Sequence, residues 1–292
     1  MKAILSTVIV GIMSFSTNAN QENTKPVTMP MQFTQYGHVM VDAQLNNADT
    51  VPMVLDTAAT SGVISNSLLN ELALPESALE KEEVTSATSK MTLTQANVNK
   101  TRVGHTAVMD LPYITQDLTV LKTAQGKVPG ILGYGFLEKH CTVLDFVNSE
   151  VTFYAQTCSE QVTHDLKSQA FWLDEEFIKF NVEFNGHNVD AVLDTGAPIN
   201  IINSHLLAKL DVEKKDKEDL KGLHGKAIQK QKLGEVSFNI GEHTVTSANT
   251  TVSDMPVFKK LGYENKPVIL MGLADFKGGK LVIDYQAKHI YF

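Results

Sequence analysis

The chain has 292 residues, of which 43% are hydrophobic and 20% charged, with a formal net charge of −8. That length suits two lobes of roughly 130 to 150 residues, the size at which one core normally closes, and the balance excludes wholesale disorder and a polytopic membrane protein. The negative charge, with no Lys/Arg run and no aromatic platform beside it, argues against a nucleic-acid partner.

Met1 and Lys2 precede an apolar run from Ala3 to Phe15 and a small polar stretch, Ser16-Thr17-Asn18-Ala19. This is the pattern of a secretory signal cleaved after Ala19, and the run is too short to cross a bilayer, which takes about 20 apolar residues. The mature chain is therefore expected in the periplasm or outside the cell, with no membrane span. Residues 1–19 are read as the signal peptide and residues 20–30 as a flexible N-terminus.

From there the chain reads as two similar halves, a first lobe over 31–158 and a second over 170–292, with polar residues 159–169 as linker. In the first, Val39, Val41, Ala43 and Leu45 alternate as in a half-buried strand, meet a turn at Asn46-Asn47-Ala48-Asp49 and return along a second strand to Asp56. A helix is expected over 65–72, followed by a turn at Pro75 and a Ser/Thr-rich loop at Thr85-Ser86-Ala87-Thr88-Ser89. Thr142 to Val147 and Val151 to Thr157 form a hairpin turning at Asn148-Ser149, which sets Cys141 opposite residue 156 and leaves Cys158 only diagonally near. A disulfide between the two cysteines stays open at this point. In the second half, Ile178, Phe180, Val182 and Phe184 alternate, turn at Asn185-Gly186-His187-Asn188 and return to Asp194. A helix over 203–210, a charged turn or solvated face over 213–218 and a loop at Gly222-Leu223-His224-Gly225 follow. Phe171, Trp172 and Phe177 read as core or lobe-interface packing.

The two halves echo one another. Val54-Leu55-Asp56-Thr57-Ala58-Ala59 recurs in the second half as Val192-Leu193-Asp194-Thr195-Gly196-Ala197, and Ile131-Leu132-Gly133 recurs as Leu270-Met271-Gly272 at the same offset to within one position. Val143-Leu144-Asp145-Phe146 and Val282-Ile283-Asp284-Tyr285 keep that spacing, as do Val151-Thr152-Phe153 and Ile290-Tyr291-Phe292. A period of nearly half the chain describes two complete lobes rather than stacked repeats.

An aspartate ending an apolar strand, present at the same place in both halves, is brought by approximate two-fold symmetry to a shared interface. Two carboxylates roughly 3 Å apart cannot both ionise comfortably; they hold one proton between them, so one member can serve as base and the other as acid. Asp56 and Asp194 are the candidate catalytic pair. Thr57 and Thr195 carry hydroxyls suited to cross-lobe hydrogen bonds beneath it, and small residues at Ala58 and Gly196 let a peptide backbone approach. Thr57, Ala58, Thr195 and Gly196, with Ala87, Thr88, His224 and Gly225 as flap tips, make up the expected substrate-binding set.

Asp-Thr-Gly-Ala after an apolar strand, followed later in the same half by an apolar-apolar-Gly triplet, resembles the retropepsin and pepsin superfamily of aspartic peptidases over nearly all of the mature chain. The resemblance implies an all-β, bilobal acid-protease-like fold of two similar closed β-barrel lobes, each with a short helix. It also implies an endopeptidase whose extended peptide substrate lies between the lobes under flaps, with no metal and no cofactor. One chain supplies both halves of the site, so a monomer suffices. Two positions depart from the pattern: Ala58 replaces the usual glycine, and Pro198 stands where Ser or Thr is common. If position 58 required a positive φ, alanine would cost about 1 to 2 kcal/mol, which raises a second reading, a catalytically weak homologue that binds extended peptides without cutting them. A third is a narrow processing or regulatory enzyme whose cleft admits few sequences. No His-Glu-x-x-His metal motif and no Gly-x-Ser-x-Gly elbow offers a competing chemistry.

Overall fold

The structure is a computed structural model that describes residues 25–85, 90–123, 125–221 and 227–292. Each half opens on the expected hairpin. The strand Val39–Leu45 buries Val39, Val41, Ala43 and Leu45 while Asp42 and Gln44 stay partly exposed, and Phe177–Phe184 buries Phe180, Val182 and Phe184 between exposed Asn181 and Glu183. Asn185 and Gly186, both at positive φ, connect Phe184 to its ladder partner His187 as a two-residue turn whose twist suits the right-handed sheet. The return strands, Val51–Leu55 and His187–Leu193, stop one residue short of Asp56 and Asp194.

In the first lobe the strands Val39–Leu45, Val51–Leu55, Gly130–Leu132, Gly62–Ile64, Thr106–Thr115 and Lys90–Val103 follow one another in space. The last pairs back to the first through Gln44↔Arg102 and Leu45↔Thr101, closing a barrel. The second lobe repeats this order, but each of its two long strands is cut in two, into Ala227–Leu233 with Val236–Ile240 and His243–Ser247 with Thr250–Val252. At the first cut the Gly234 N–H turns aside to the Glu213 carbonyl at 2.8 Å. Among the described residues the ring returns to its start only through Glu183↔Asn239, so this lobe is a half-barrel beside a closed one. The chain is thus all-β and bilobal, with a short helix after each aspartate. Asn66–Leu72 is capped by the Ser65 side chain, which accepts the Leu68 N–H, and Ser204–Leu207 by Asn203, which accepts the Leu206 N–H.

A further sheet ties the lobes together, in the order Val27–Pro30, Glu150–Tyr154, Cys141–Asp145, Lys280–Asp284, His289–Tyr291, Ser168–Ala170. Its middle pair comes from opposite halves, antiparallel, with Val143 facing Val282, and one apolar core runs from it into both lobes. Several expectations are corrected by it. Residues 27–30, placed in a flexible N-terminus, form a strand because Glu150–Tyr154 needs a partner on its free edge, and Val27 is buried there. The segment 159–169 is not bare linker: it holds the helix Glu160–Thr163 and the start of the edge strand Ser168–Ala170. The hairpin turns over Phe146 to Ser149, with Ser149 at positive φ, so Cys141 faces Tyr154 rather than residue 156. Past the ladder the chain bends back, the Cys158 N–H donates to Asp284, and Cys141 and Cys158 form a disulfide across a Cα separation of 5.4 Å.

Two smaller readings also change. The charged run over 213–218 enters the strand Lys214–Lys221, one arm of a hairpin with Ala227–Leu233. Phe171 and Phe177 are buried as expected, whereas Trp172, on the outer strand Trp172–Asp174, stays 39% exposed. No helix among the described residues is long and apolar enough to cross a membrane.

Candidate active site

Each aspartate is held by the strand that threads past it from the far end of its own lobe. The Asp56 N–H donates to the Leu132 carbonyl at 3.0 Å and the Asp194 N–H to Met271 at 2.9 Å. One residue on, Gly133 and Gly272 run so close under the aspartate loops that a Cβ on either would lie 2.4 Å from a backbone carbonyl oxygen, that of Ala59 or Ile199. This is why each apolar pair ends in glycine. The loops are pinned again from below, by Tyr134 N–H to Ala59 O at 2.8 Å and Leu273 N–H to Ala197 O at 2.9 Å.

The two loops meet on the pseudo-two-fold axis. Thr57 and Thr195, 2% and 1% exposed, interlock through four hydrogen bonds. Each hydroxyl accepts the other's N–H and donates to the carbonyl before the other's aspartate. These are the cross-lobe bonds expected beneath the pair; the further expectation that both side chains contact substrate is corrected, since they are sealed under the site and fully used in joining the lobes. Below them a small cavity is lined by Leu55, Leu144, Ile283, Thr142 and Tyr285, the last two of which carry buried hydroxyls with no protein partner.

Above the threonines the side chains of Asp56 and Asp194 come together: the Asp56 carboxyl lies against Gly196 of the opposite loop, and the two carboxyls act on one another's ionisation. Burial is the first cause that raises both carboxyl pKa values above the ordinary range. The two are not equivalent. Asp56 Oδ1 accepts the Ala58 N–H at 2.8 Å, which favours its charged form. Among the described residues Asp194 Oδ1 has no hydrogen-bond partner at comparable geometry, though the Gly196 and Ala197 N–H groups favour its charged form as those of Ala58 and Ala59 favour that of Asp56; burial and then the Asp56 charge hold Asp194 well above the usual value. Such a pair keeps one proton between its members, so that one is able to take a proton and the other to give it.

The departures from the motif find their geometry here. Ala58 does not adopt a positive φ, so alanine carries no left-handed cost, and it packs against the second lobe's cluster of Val192, Ala197 and Leu270. Gly196 has no positive φ either; it is required by space, because a Cβ there would lie 2.5 Å from Asp56 Cγ. Pro198 borders Gly37 of the first lobe. Of the other expected site residues, Ala87, Thr88, His224 and Gly225 lie outside the described residues. The strands flanking them pair at Thr85↔Lys90 and Lys221↔Ala227.

Some supporting residues were not singled out from the sequence. Asn200, fully buried, donates to Asp275 and Ser247 and accepts the Gly272 N–H, fixing the turn under Asp194. An asparagine inside an apolar run was its signal, and the first half offers no matching one to draw attention to it. The segments that carry Leu118, Leu121, Phe258 and Tyr263 over the two lobes gave none, since the halves share no sequence similarity there. Among the described residues no group of three His, Cys, Asp or Glu side chains is placed to hold a metal ion.

No curated protein matches the chain. The sequence model of the family described as aspartyl protease matches it twice, over residues 41–136 and 180–273, once per lobe and together over more than half its length. With the duplicated Asp-Thr loops meeting across the lobe interface, the chain belongs to the aspartyl protease family.

Proposed function

We propose that this chain is an aspartic endopeptidase that cuts extended peptides by activating water between Asp56 and Asp194, and that it works in the periplasm or outside the cell. The observation that carries this reading is the meeting of the two aspartate loops through the interlocked threonines, which sets one carboxyl from each lobe beside the other, with the Ala58 N–H on Asp56. Asp56, favoured as the anion by the Ala58 N–H, takes a proton from the water as its oxygen attacks the peptide carbonyl. Asp194, favoured as the acid by burial, donates to the oxyanion that forms, and the proton on Asp56 passes to the departing amine as the tetrahedral intermediate collapses. The interlocked threonines hold the pair in place during this exchange. Export is supported by the signal-like N-terminus and by the Cys141–Cys158 disulfide, which suits an oxidising compartment.

The absence of left-handed strain at Ala58 supports cleavage over the alternative of a peptide-binding homologue that does not cut. The test is cleavage of a mixed peptide library by the mature protein between about pH 3 and 7, with Asp56→Asn and Asp194→Asn as controls. Turnover that disappears in both variants is expected. Turnover that survives both substitutions removes the pair from the mechanism, and peptide binding with no turnover by the unaltered protein favours the alternative.

A further inference from the structure

In a strand alternate side chains share a face, so Val54 and Val192, two residues before Asp56 and Asp194, point to the same side of their sheets as the carboxylates. Their ladder neighbours share that face: Met40 and Ile131 beside Val54, Lys179 and Leu270 beside Val192. In an open cleft these surfaces would meet the substrate side chains on either side of the bond to be cut. None of the six is more than 5% exposed.

The chain covers them itself, at the same place in each lobe. Between the strands Thr106–Thr115 and Gly130–Leu132, Leu118 and Leu121 join one packed cluster with Met40, Val54 and Ile131, against which Ala59 of the aspartate loop also packs. Between Thr250–Val252 and Val268–Met271, Phe258 of the short helix Pro256–Lys260 and Tyr263 join a cluster with Val192 and Leu270, against which Ala58 packs from the opposite lobe. Tyr263 is clamped further: its ring takes the Lys179 ammonium at 4.7 Å and its hydroxyl donates to Asp190 at 2.8 Å. Lys179 itself is held by Asp174 at 2.6 Å. The polar clamp is particular to the second lobe, because the residue matching Lys179 in the first is Met40.

We infer that the two positions flanking the scissile bond accept only small side chains, so that the substrate class is peptides with Gly, Ala or Ser on both sides of the cut. Leu118 and Leu121 fill one of the spaces, Phe258 and Tyr263 the other. A leucine or phenylalanine in the substrate would have to displace a packed side chain of its own size. This rests on Asp56 and Asp194 being the catalytic pair.

The test is the cleavage profile of the mature protein on a peptide library of mixed sequence. Gly, Ala or Ser is expected at both flanking positions, with kcat/KM at least tenfold lower for matched peptides carrying Leu or Phe there. Leu121→Ala and Phe258→Ala are each expected to raise kcat/KM for leucine at one flank, and not the other, by tenfold or more. Cleavage by the unaltered protein at Leu or Phe as readily as at Ala overturns the inference. A calorimetric arm needs no turnover: two peptides with a hydroxyethylene group in place of the scissile amide, one flanked by Ala and Ala, the other by Leu and Phe. Tighter binding of the alanine analogue supports the inference even where no cleavage is seen, and equal or tighter binding of the other overturns it while leaving the peptidase reading intact. If neither analogue binds, the catalytic reading fails and the inference with it.

Discussion

Thr57 and Thr195 each satisfy the other's loop. The Thr57 hydroxyl accepts the Thr195 N–H at 3.1 Å and donates to Leu193 at 2.8 Å, while the Thr195 hydroxyl accepts the Thr57 N–H at 3.0 Å and donates to Leu55 at 2.7 Å. All four bonds cross between the lobes in a dry setting, where a buried donor or acceptor left unpaired costs about 1 to 3 kcal/mol. Thr57→Val keeps the shape and strands two such groups. Its stability in urea is expected to fall by about 2 to 4 kcal/mol, with Thr57→Ser recovering most of that. The loss in the Thr57→Val/Thr195→Val pair should differ from the sum of the single losses, because the four bonds form one network. Strictly additive losses would mean that the two hydroxyls act independently.

The unequal carboxyls give the dyad a measurable asymmetry. Either Asp→Asn substitution is expected to lower kcat/KM by at least the roughly 10²- to 10⁴-fold that a positioned acid or base contributes. Stability should move the other way. The Asp194 carboxyl, raised by burial and then by the Asp56 charge, binds its proton more tightly folded than unfolded. It therefore favours the fold at acid pH, and that contribution is lost as pH rises from the ordinary carboxylate value through the raised one. Asp194→Asn escapes the loss. Its melting temperature is expected to exceed that of the unaltered protein by a few degrees at pH 7 and to converge with it toward pH 3; a melting temperature that falls at both pH values would contradict the raised Asp194 pKa.

What the sequence disclosed follows from which interactions are local. The hairpins into each aspartate were legible because alternation of apolar residues and turn residues such as Asn185-Gly186 encode them over a few positions. The pairing of lobes was legible because the repeat doubled every signal, so that a weak Asp-Thr-Ala-Ala was strengthened by Asp-Thr-Gly-Ala. The shared sheet was not, because its strands come from four separate stretches and Val27–Pro30, four residues long, has no periodicity of its own. The disulfide was undecided for the same kind of reason. One residue's change in the turn centre moves Cys141 opposite Tyr154, and only the anchoring of Cys158 by distant Asp284 brings the sulfurs together. The threonines' cross-lobe hydrogen bonds beneath the pair were legible from the repeat, whereas their added place among substrate contacts was not correct, since exposure at a loop is set by the opposite lobe.

Two charge relationships at symmetry-related positions, each joining the two halves of the chain, respond to pH in opposite senses. Gly37 lies against Lys277; burial and then the Lys277 charge hold the neighbouring His38 below its usual pKa, and Thr34 meets the His38 ring from its own loop at 2.7 Å. At the spacing that relates the two halves, Gly37 corresponds to Glu176 and Glu138 to Lys277, and at the matching contact burial and the Glu138 charge raise Glu176 above its usual pKa. Tyr134 and Lys139 also bear on Glu138. The neutral form is favoured at both sites. The His38 contribution is complete above the histidine's ordinary value and declines as pH falls through it toward the lowered one; the Glu176 contribution is complete below the ordinary glutamate value and declines as pH rises through the raised one. His38→Gln is expected to reduce the loss of stability on the acid side, and Glu176→Gln the loss toward neutral pH. Both side chains are partly solvated, so each effect should stay below about 1 kcal/mol. Melting curves from pH 4 to 8 check this, and identical profiles for the three proteins would show that the contacts carry no pH dependence.

Gly196 and Ala58 occupy matching places and should tolerate substitution very differently. A methyl group on Gly196 would sit 2.5 Å from Asp56 Cγ and Oδ2, an approach real atoms do not make, and the neighbour that must move is the proposed catalytic base. Gly196→Ala is therefore expected to cost at least tenfold in kcat/KM. The four threonine bonds below are untouched, so the far-ultraviolet spectrum and cooperative unfolding should persist. Ala58→Gly restores the common residue of the motif at a position with no positive φ to relieve. It removes a methyl packed against the second lobe's cluster and adds backbone freedom to the unfolded chain. A destabilisation of about 0.5 to 1 kcal/mol is the expected result, with cleavage changed by less than about threefold. A large gain of activity in Ala58→Gly would show instead that the natural alanine restrains the dyad.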